Sequence, residues 1–360
     1  MALNSDRDEL TSQPDGGTRN SLYVSFGSAL PNLTQPRLLT TIDAEESFDW
    51  SQPLTRDARD LAAIGQQYLA HEVFDRHKVI PTYLMTYPVV THEDGYRPLL
   101  ELLEDGKCEI GAQLHSWVTP PFDETVSLRN SFPGNLPAAL EFEKMRILTD
   151  AITQRFCQSP QVYRAGRYGL GPNTYDALRK LGYRIDTSVV PEQDYGSQGG
   201  PSFFDMPVSP YWTDAEGLLL EVPLTSAFVG TIGRARPHLA QRIYRNEDRY
   251  RFLKSALARG KVLERTRLTP EGMKIGEAKK LVRALRAEGS SLFVISYHAP
   301  SLVVGNTPYV NSIAERDGLL RWLDEFYEFF AGEIGGTPAT MGDLFGLATE
   351  QRRRAGEYDM

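Results

Sequence analysis

The sequence predicts an α/β protein: a (β/α)7-type barrel around a parallel sheet, carrying a helical, basic insertion at residues 234–288. Three observations lead there. Short β-branched apolar runs alternate with amphipathic stretches about seven times, the pattern of parallel strands joined by crossover helices. No internal repeat and no linker divides the chain. Most of the predicted strands also end in a polar, chemically capable residue, and in barrels such residues gather at the C-terminal ends of the strands.

Composition is ordinary for a globular protein: 360 residues, 41% hydrophobic and 24% charged, enough for one domain with a sizeable core. A net charge of −8 argues against nucleic-acid binding over the whole surface. Cys108 and Cys157 give neither a disulfide framework nor a metal-ligand spacing, and both read as core filler. The N-terminal stretch lacks the charged-then-apolar pattern of a secretory signal, and no apolar run approaches the roughly 18–20 residues of a spanning helix. The expectation is a reduced, soluble, cytoplasmic protein.

In chain order, residues 1–20 are polar and are expected to be a disordered leader, followed by one barrel domain over 21–348 and a polar tail over 349–360. Ser21 to Phe26 alternates weakly and reads as an outer strand. Arg37-Leu-Leu-Thr-Thr-Ile-Asp43-Ala-Glu45-Glu46 is a buried strand running straight into acids. Thr55 to His77 is helical, with Leu61, Ile64, Tyr68 and Leu69 on one face. Val79 to Tyr87 is a strand, Tyr96 to Leu103 a helix closed by Asp105-Gly106, and Cys108 to His115 a strand ending on histidine. Ser116 to Pro137 is irregular, and loops that long in compact domains are usually functional. Ala138 to Phe156 is a strong helix, Gln161 to Gly166 a strand, Pro172 to Leu181 a helix and Arg184 to Val189 a strand. Leu218 to Leu224 and Ser291 to His298 complete the strands. Ile313 to Phe330 is an aromatic-rich helix, and Pro338 to Leu344 a short closing element.

Asp43 with Glu45, His115, Arg164, Asp186 and His298 stand at successive strand ends. Singly, a strand-end histidine is usually a satisfied hydrogen-bonding residue, and an arginine a salt-bridge partner. Together they converge on one mouth if the barrel forms. A cluster of buried carboxylates needs a compensating cation: a metal, an arginine or a histidinium.

The order of these motifs resembles the polysaccharide deacetylases (carbohydrate esterase family 4, NodB-like). Thr41-Ile-Asp43-Ala-Glu45-Glu46 is similar to the first motif, in the variant with one residue between the acids. Glu109 to His115 resembles the second, Tyr163-Arg164-Ala-Gly-Arg167-Tyr168-Gly169 the third, Gly182 to Ser188 the fourth and Ser296-Tyr297-His298-Ala-Pro-Ser301 the fifth. The stretches Gln113 to Pro121 and Arg164 to Thr174 further resemble a WalW-like branch linked to bacterial surface polysaccharides. The resemblance implies a (β/α)7 barrel that hydrolyses N- or O-acetyl groups from sugars. Asp43 would be the general base, oriented by Arg164. Glu45 and His115 would be ligands of a divalent metal, zinc by donor type, with cobalt or nickel as substitutes. His298 would be the general acid, held by Asp186. Trp117, Arg167, Tyr168 and Tyr297 are the candidate saccharide contacts.

One departure matters. The second motif normally supplies two histidines four residues apart, and the residue four after His115 is Thr119. Three readings stay open: a third ligand from Glu46, Asp49, His92 or Asp123, a weakly held hydrated metal, or a barrel without metal. The functional expectation is a hydrolase of an acylated sugar or lipid-linked saccharide. The alternatives are a non-catalytic carbohydrate-binding or scaffold barrel and a hydrolase of another non-peptide C–N bond. The arginines and lysines of 234–288 would meet a phosphate-bearing substrate or an anionic membrane surface, or form a solvated helical face. Gly166-Arg-Tyr-Gly-Leu-Gly171 has the wrong glycine spacing for a nucleotide site.

Overall fold

The computed structural model describes residues 30, 33–204, 206–230, 237–245 and 262–356. The expected leader, the strand at 21–26 and residues 234–236 and 246–261 of the basic stretch lie outside the described residues.

The described elements run β1 (Arg37–Ala44), α1 (Ala62–Gly65), α2 (Tyr68–His77), β2 (Thr82–Met85), α3 (Tyr87–Thr91), α4 (Glu93–Glu104), β3 (Glu109–Leu114), α5 (Ala138–Phe156), β4 (Val162–Ala165) and α6 (Thr174–Lys180). They continue with β5 (Ile185–Asp186), β6 (Tyr211–Trp212), β7 (Leu220–Glu221), β8 (Ser226–Val229), α7 (Pro237–Arg245), β9 (Glu264–Arg267), α8 (Ile275–Ala287), β10 (Leu292–His298), α9 (Ile313–Gly332), β11 (Thr337–Pro338) and α10 (Met341–Arg354).

Seven strands lie parallel in the order β10-β1-β2-β3-β4-β5-β7, and β6 adds an antiparallel edge beside β7. The sheet curls into a half-barrel with helices outside it, the α/β architecture expected as a (β/α)7-type barrel. Its two ends meet through a seam rather than a full ladder. The Thr225 carbonyl accepts from the Leu268 amide at 2.8 Å, and the Thr225 hydroxyl accepts from the Val294 amide at 2.8 Å.

The stretch 234–288, expected to be mostly helical, also contains a strand: Glu264–Arg267 lies antiparallel to Ser226–Val229. An Arg- and Glu-rich run with no apolar alternation hides a strand that pairs with one partner only. Helix α10 runs on to Arg354, into the polar tail expected from 349.

The period-2 alternation of the strands sorts side chains into two compartments. Ile42, Tyr83, Ile110, Ala112, Tyr163, Phe293, Ile295 and Tyr297 pack outward under the helices. Leu39, Leu84, Val162, Ile185, Leu220 and Val294 pack with Met341 and Leu344 of α10, which plugs one end of the barrel. The Glu109 carboxylate accepts from the amides of Met341 (2.9 Å) and Gly342 (3.0 Å), fixing that plug by its helix N-terminus. Above the apolar plug comes a polar layer, and above that the strand ends.

Candidate functional site

The polar layer is built around Arg164, whose side chain is wholly buried. Its guanidinium donates to the Asp43 carboxylate, to Ser296 Oγ (2.8 Å), to Thr41 Oγ1 (2.9 Å) and to the Thr187 carbonyl (3.1 Å). Strands β1, β4 and β10 and the end of β5 are thereby tied together at one level. Removing one partner of such a buried charge pair costs about 3–5 kcal/mol.

Register decides what faces Asp43. Residues of β1 and β10 pair as Thr41 with Ser296 and Asp43 with His298, so the acid and the imidazole stand side by side. His298 Nε2 lies 3.7 Å from Asp43 Oδ2. On its far side, His298 Nδ1 lies 2.8 Å from Glu271 Oε2, and its amide donates to Glu271 Oε1 at 3.0 Å. Ser301 Oγ also donates to Glu271, at 2.5 Å. Burial alone would lower the His298 pKa, but the charges of Glu271, Glu45 and Asp43 lift it to about 9. Burial works against ionising Glu271, yet His298 and its hydrogen bonds hold the carboxyl below its usual range.

The second pair sits beside the first. His115 Nε2 lies 3.3 Å from Glu45 Oε2, and its Nδ1 lies 2.8 Å from Glu46 Oε1. Thr86 Oγ1 donates to the other Glu46 oxygen at 2.8 Å. Trp117 stacks on the His115 ring, centroids 4.2 Å apart. Burial would lower the His115 pKa, but Glu46 and Glu45 lift it to about 10. Burial raises the pKa of Glu45 more than His298 and His115 lower it.

These groups open onto a cavity of about 620 Å³. It is lined by Asp43, Glu45, Gln113, His115, Trp117, Arg167, Tyr168 and His298 from the predicted motifs. Phe48, Trp50, Tyr195, Arg267 and Tyr309 complete the walls. Asp43, Glu45, His115, Arg164 and His298, chosen from sequence, therefore come together. So do Trp117, Arg167 and Tyr168.

Other candidates stand elsewhere. Asp186 does not hold His298. It is buried on β5 in register with Glu221 of β7, and Ser188 Oγ donates to it at 2.6 Å. Tyr297 alternates with Ser296 and His298, so it faces outward, where its hydroxyl donates to Gln67 Oε1 at 3.0 Å. Glu46 orients His115 from behind. Asp49 is exposed and accepts from Ser51, His92 is exposed with Nδ1 beside the Pro88 carbonyl, and Asp123 is exposed. None of these four supplies a cavity ligand. Thr119 turns its hydroxyl back to the His115 carbonyl at 2.8 Å.

The donor set fits a divalent cation. Glu45 Oε1 is buried without a hydrogen-bond partner. Asp43, Glu45 and His298 each offer a ligand atom, all within 4.8 Å of one another. His115 adds an imidazole whose Nδ1 is already held by a carboxylate, the usual second-sphere arrangement behind a metal-bound histidine.

Sequence reasoning missed Arg267, which ends β9, and Glu271, four residues beyond it, inside the stretch read as a helical insertion. The dipeptide Pro270-Glu271, after an alternating Arg265-Thr266-Arg267, was the available signal.

Comparison with solved structures follows the same line. A Mycobacterium smegmatis protein assigned as a polysaccharide deacetylase is similar over 88% of this chain and 91% of its own, at 16% identity and TM-score 0.52. A Parabacteroides distasonis protein assigned as a glycoside hydrolase/deacetylase is similar over 88% of this chain and 72% of its own, at 12% identity and TM-score 0.55. The fold is the NodB-like deacetylase fold. No protein-family model and no curated protein matches the sequence. Likeness at this identity establishes the architecture, and the chemistry rests on the site itself. Among the described residues no helix is long and apolar enough to cross a membrane.

Proposed function

We propose that this chain is a metal-dependent hydrolase removing an N- or O-acyl group from a saccharide or lipid-linked saccharide, in surface-polysaccharide metabolism as in the WalW-like branch. The observation that carries the reading is the register of β1 and β10. It sets an arginine-anchored aspartate beside a histidine that a second carboxylate holds from behind.

Asp43 is fixed from below by Arg164, so one oxygen stays turned to the cavity and can take a proton from water. His298, with its pKa near 9, is protonated at neutral pH and can give that proton to the departing nitrogen or oxygen. Glu271 fixes the ring so that Nε2 faces the cavity. Of the carboxylates and imidazoles gathered here, Glu45 and His115 would hold the metal, leaving Asp43 and His298 to the proton steps, and Glu46 would keep the His115 ring oriented. A bound divalent cation supplies Lewis acidity toward a carbonyl and lowers the pKa of water. Phe48, Trp50 and Tyr309 give the apolar faces on which a sugar ring can rest.

The non-catalytic reading draws on one observation: Thr119 leaves the second motif without its second imidazole. Acetate release separates the two. Purified protein loaded with zinc, cobalt or nickel should release acetate from acetylated xylo- or chito-oligosaccharides, and Asp43→Asn should lower the rate by at least roughly 100-fold. Equal traces of acetate from wild type and Asp43→Asn would leave the barrel as a binding protein.

A further inference from the structure

Two guanidinium groups face the cavity outside any salt bridge among the described residues. Asp43 is engaged by Arg164, Glu45 by His115 and Glu271 by His298. Arg167 donates instead to Gln198 Oε1, with its guanidinium 4.8 Å from the Phe132 ring centre. Arg267 donates to the Tyr168 hydroxyl at 2.5 Å and lies 5.4 Å from that ring's centre. Neither forms a salt bridge with any described carboxylate.

Both are only part-exposed; burial pushes the Arg167 pKa below its usual value, whereas, against burial, Tyr168, Tyr195, Glu271 and Asp43 hold the Arg267 pKa above its own. Arg167 is thus a half-buried cation with no carboxylate beside it among the described residues, which is unfavourable and points to an anion arriving with the ligand. The local backbone supports the placement. Arg167 (φ 54°) and Tyr168 (φ 59°) are consecutive non-glycine residues in the left-handed region, a strained arrangement that aims both side chains at the cavity. Tyr195 stacks on Tyr168 with centroids 5.9 Å apart, and the charges of Arg267 and Arg167 both reach its phenol. Arg267 is also near enough to Asp43 and Glu271 to feel their charges, so the cationic wall adjoins the reacting centre. Tyr195, Arg267 and Tyr309 further line a second cavity of about 330 Å³, so the wall continues outward from the first.

We propose that the saccharide bound here carries an oxyanion, a carboxylate or a phosphate, and that Arg267 and Arg167 receive it. This rests on the reading of the cavity as a saccharide site. Arginine suits either group, because its fork matches both in two-point geometry.

The test is calorimetric titration of wild type, Arg267→Gln and Arg167→Gln with N-acetylglucosamine, glucuronic acid and N-acetylglucosamine 1-phosphate. Wild type should bind at least one of the charged sugars about tenfold or more tightly than the neutral one, and added salt should shrink the difference. Whichever charged sugar gains more identifies the oxyanion. Each variant should reduce the charged-to-neutral ratio. Arg267→Gln removes a tie between β9 and Tyr168 and is checked by thermal melting; Arg167→Gln, which touches only exposed Gln198 and the Phe132 ring, keeps the test alive if it unfolds. Equal affinity for all three sugars, no binding of either charged sugar, or a preference kept by both variants overturns the proposal. The hydrolase reading fails separately. A charged preference without acetate release from any acylated saccharide would sink the hydrolase and leave this inference standing. Equal release from acetylated xylan and acetylated alginate would do the reverse.

Discussion

Replacing Glu221 by glutamine isolates a buried acid pair that the proposed chemistry does not use. Asp186 and Glu221 are wholly buried neighbours on β5 and β7. Glu221 accepts from the Val189 amide at 3.1 Å and from the Tyr175 hydroxyl at 3.2 Å. Asp186 Oδ2 has no hydrogen-bond partner of its own. Burial, and then the charge of Asp186, push the Glu221 pKa well above 4.5, and burial raises Asp186 as well. The folded pair therefore keeps a proton that the unfolded chain releases near the ordinary carboxylate pKa. Stability is fully present below that pKa and falls as pH rises toward the folded one, because there the unfolded state binds fewer protons. One retained proton tilts stability by about 1.4 kcal/mol per pH unit across that window. Glu221→Gln keeps an oxygen for the Val189 amide and offers an N–H to Asp186, so this slope should shrink to what the burial of Asp186 alone leaves. Urea unfolding of wild type, Glu221→Gln and Asp186→Asn across pH 4–8 reads it directly. Parallel stability profiles for all three would refute the shared proton. Asp186→Asn should also keep acetate release within a few-fold of wild type, because the Asp43, Arg164 and His298 contacts do not pass through it.

Glu271→Gln should lower the turnover rate by roughly 10–100-fold and move the alkaline limb of the pH–rate profile to lower pH, since the first charge holding the His298 imidazolium is gone; an unchanged profile would remove His298 from the acid role. Glu45→Gln and His115→Ala should each weaken zinc binding at least about tenfold in competition with a colorimetric chelator, and wild-type affinity in both would mean the metal sits elsewhere. Thr119→His should not restore a second imidazole: the site is wholly buried and its hydroxyl serves the His115 carbonyl, so the larger ring should destabilise by about 1–3 kcal/mol without raising zinc affinity. Tighter zinc binding by that variant would show the turn can reopen.

The strand ends were legible because a strand buried on both faces must be apolar until it leaves the sheet, and the first polar residue marks the exit. Asp43, His115, Arg164 and His298 were read that way. Order along the chain does not give distance around a barrel, however. Asp186 ends a strand too, yet its neighbour is Glu221 of β7, and the partner of His298 arrives from the segment after β9. Tyr297 lies within one residue of the acid and still faces the opposite compartment, an error that period-2 alternation could have prevented. Glu271, Arg265 and Arg267 were hidden because a short edge strand beside a polar cavity has no apolar face to betray it.

The layering inside the barrel explains why so many charges can be gathered at one depth. Leu39, Leu84, Val162, Ile185, Leu220 and Val294 fill the lower interior against α10, and this apolar floor leaves Arg164 no place but the level above. Arg164 then offers its donors to Asp43, Thr41, Ser296 and Thr187, which come from strands that are not consecutive in the chain. Its single positive charge offsets Asp43, while His115 and His298 each stand between two carboxylates. Every acid at the mouth except the unpartnered oxygen of Glu45 is thus satisfied from within the protein. A one-residue slip of β1 against β10 would set Ile42 or Ala44 beside His298 and turn Asp43 into the outer apolar layer. The site is therefore a consequence of register, and the one oxygen that register leaves over is the atom a cation would find first.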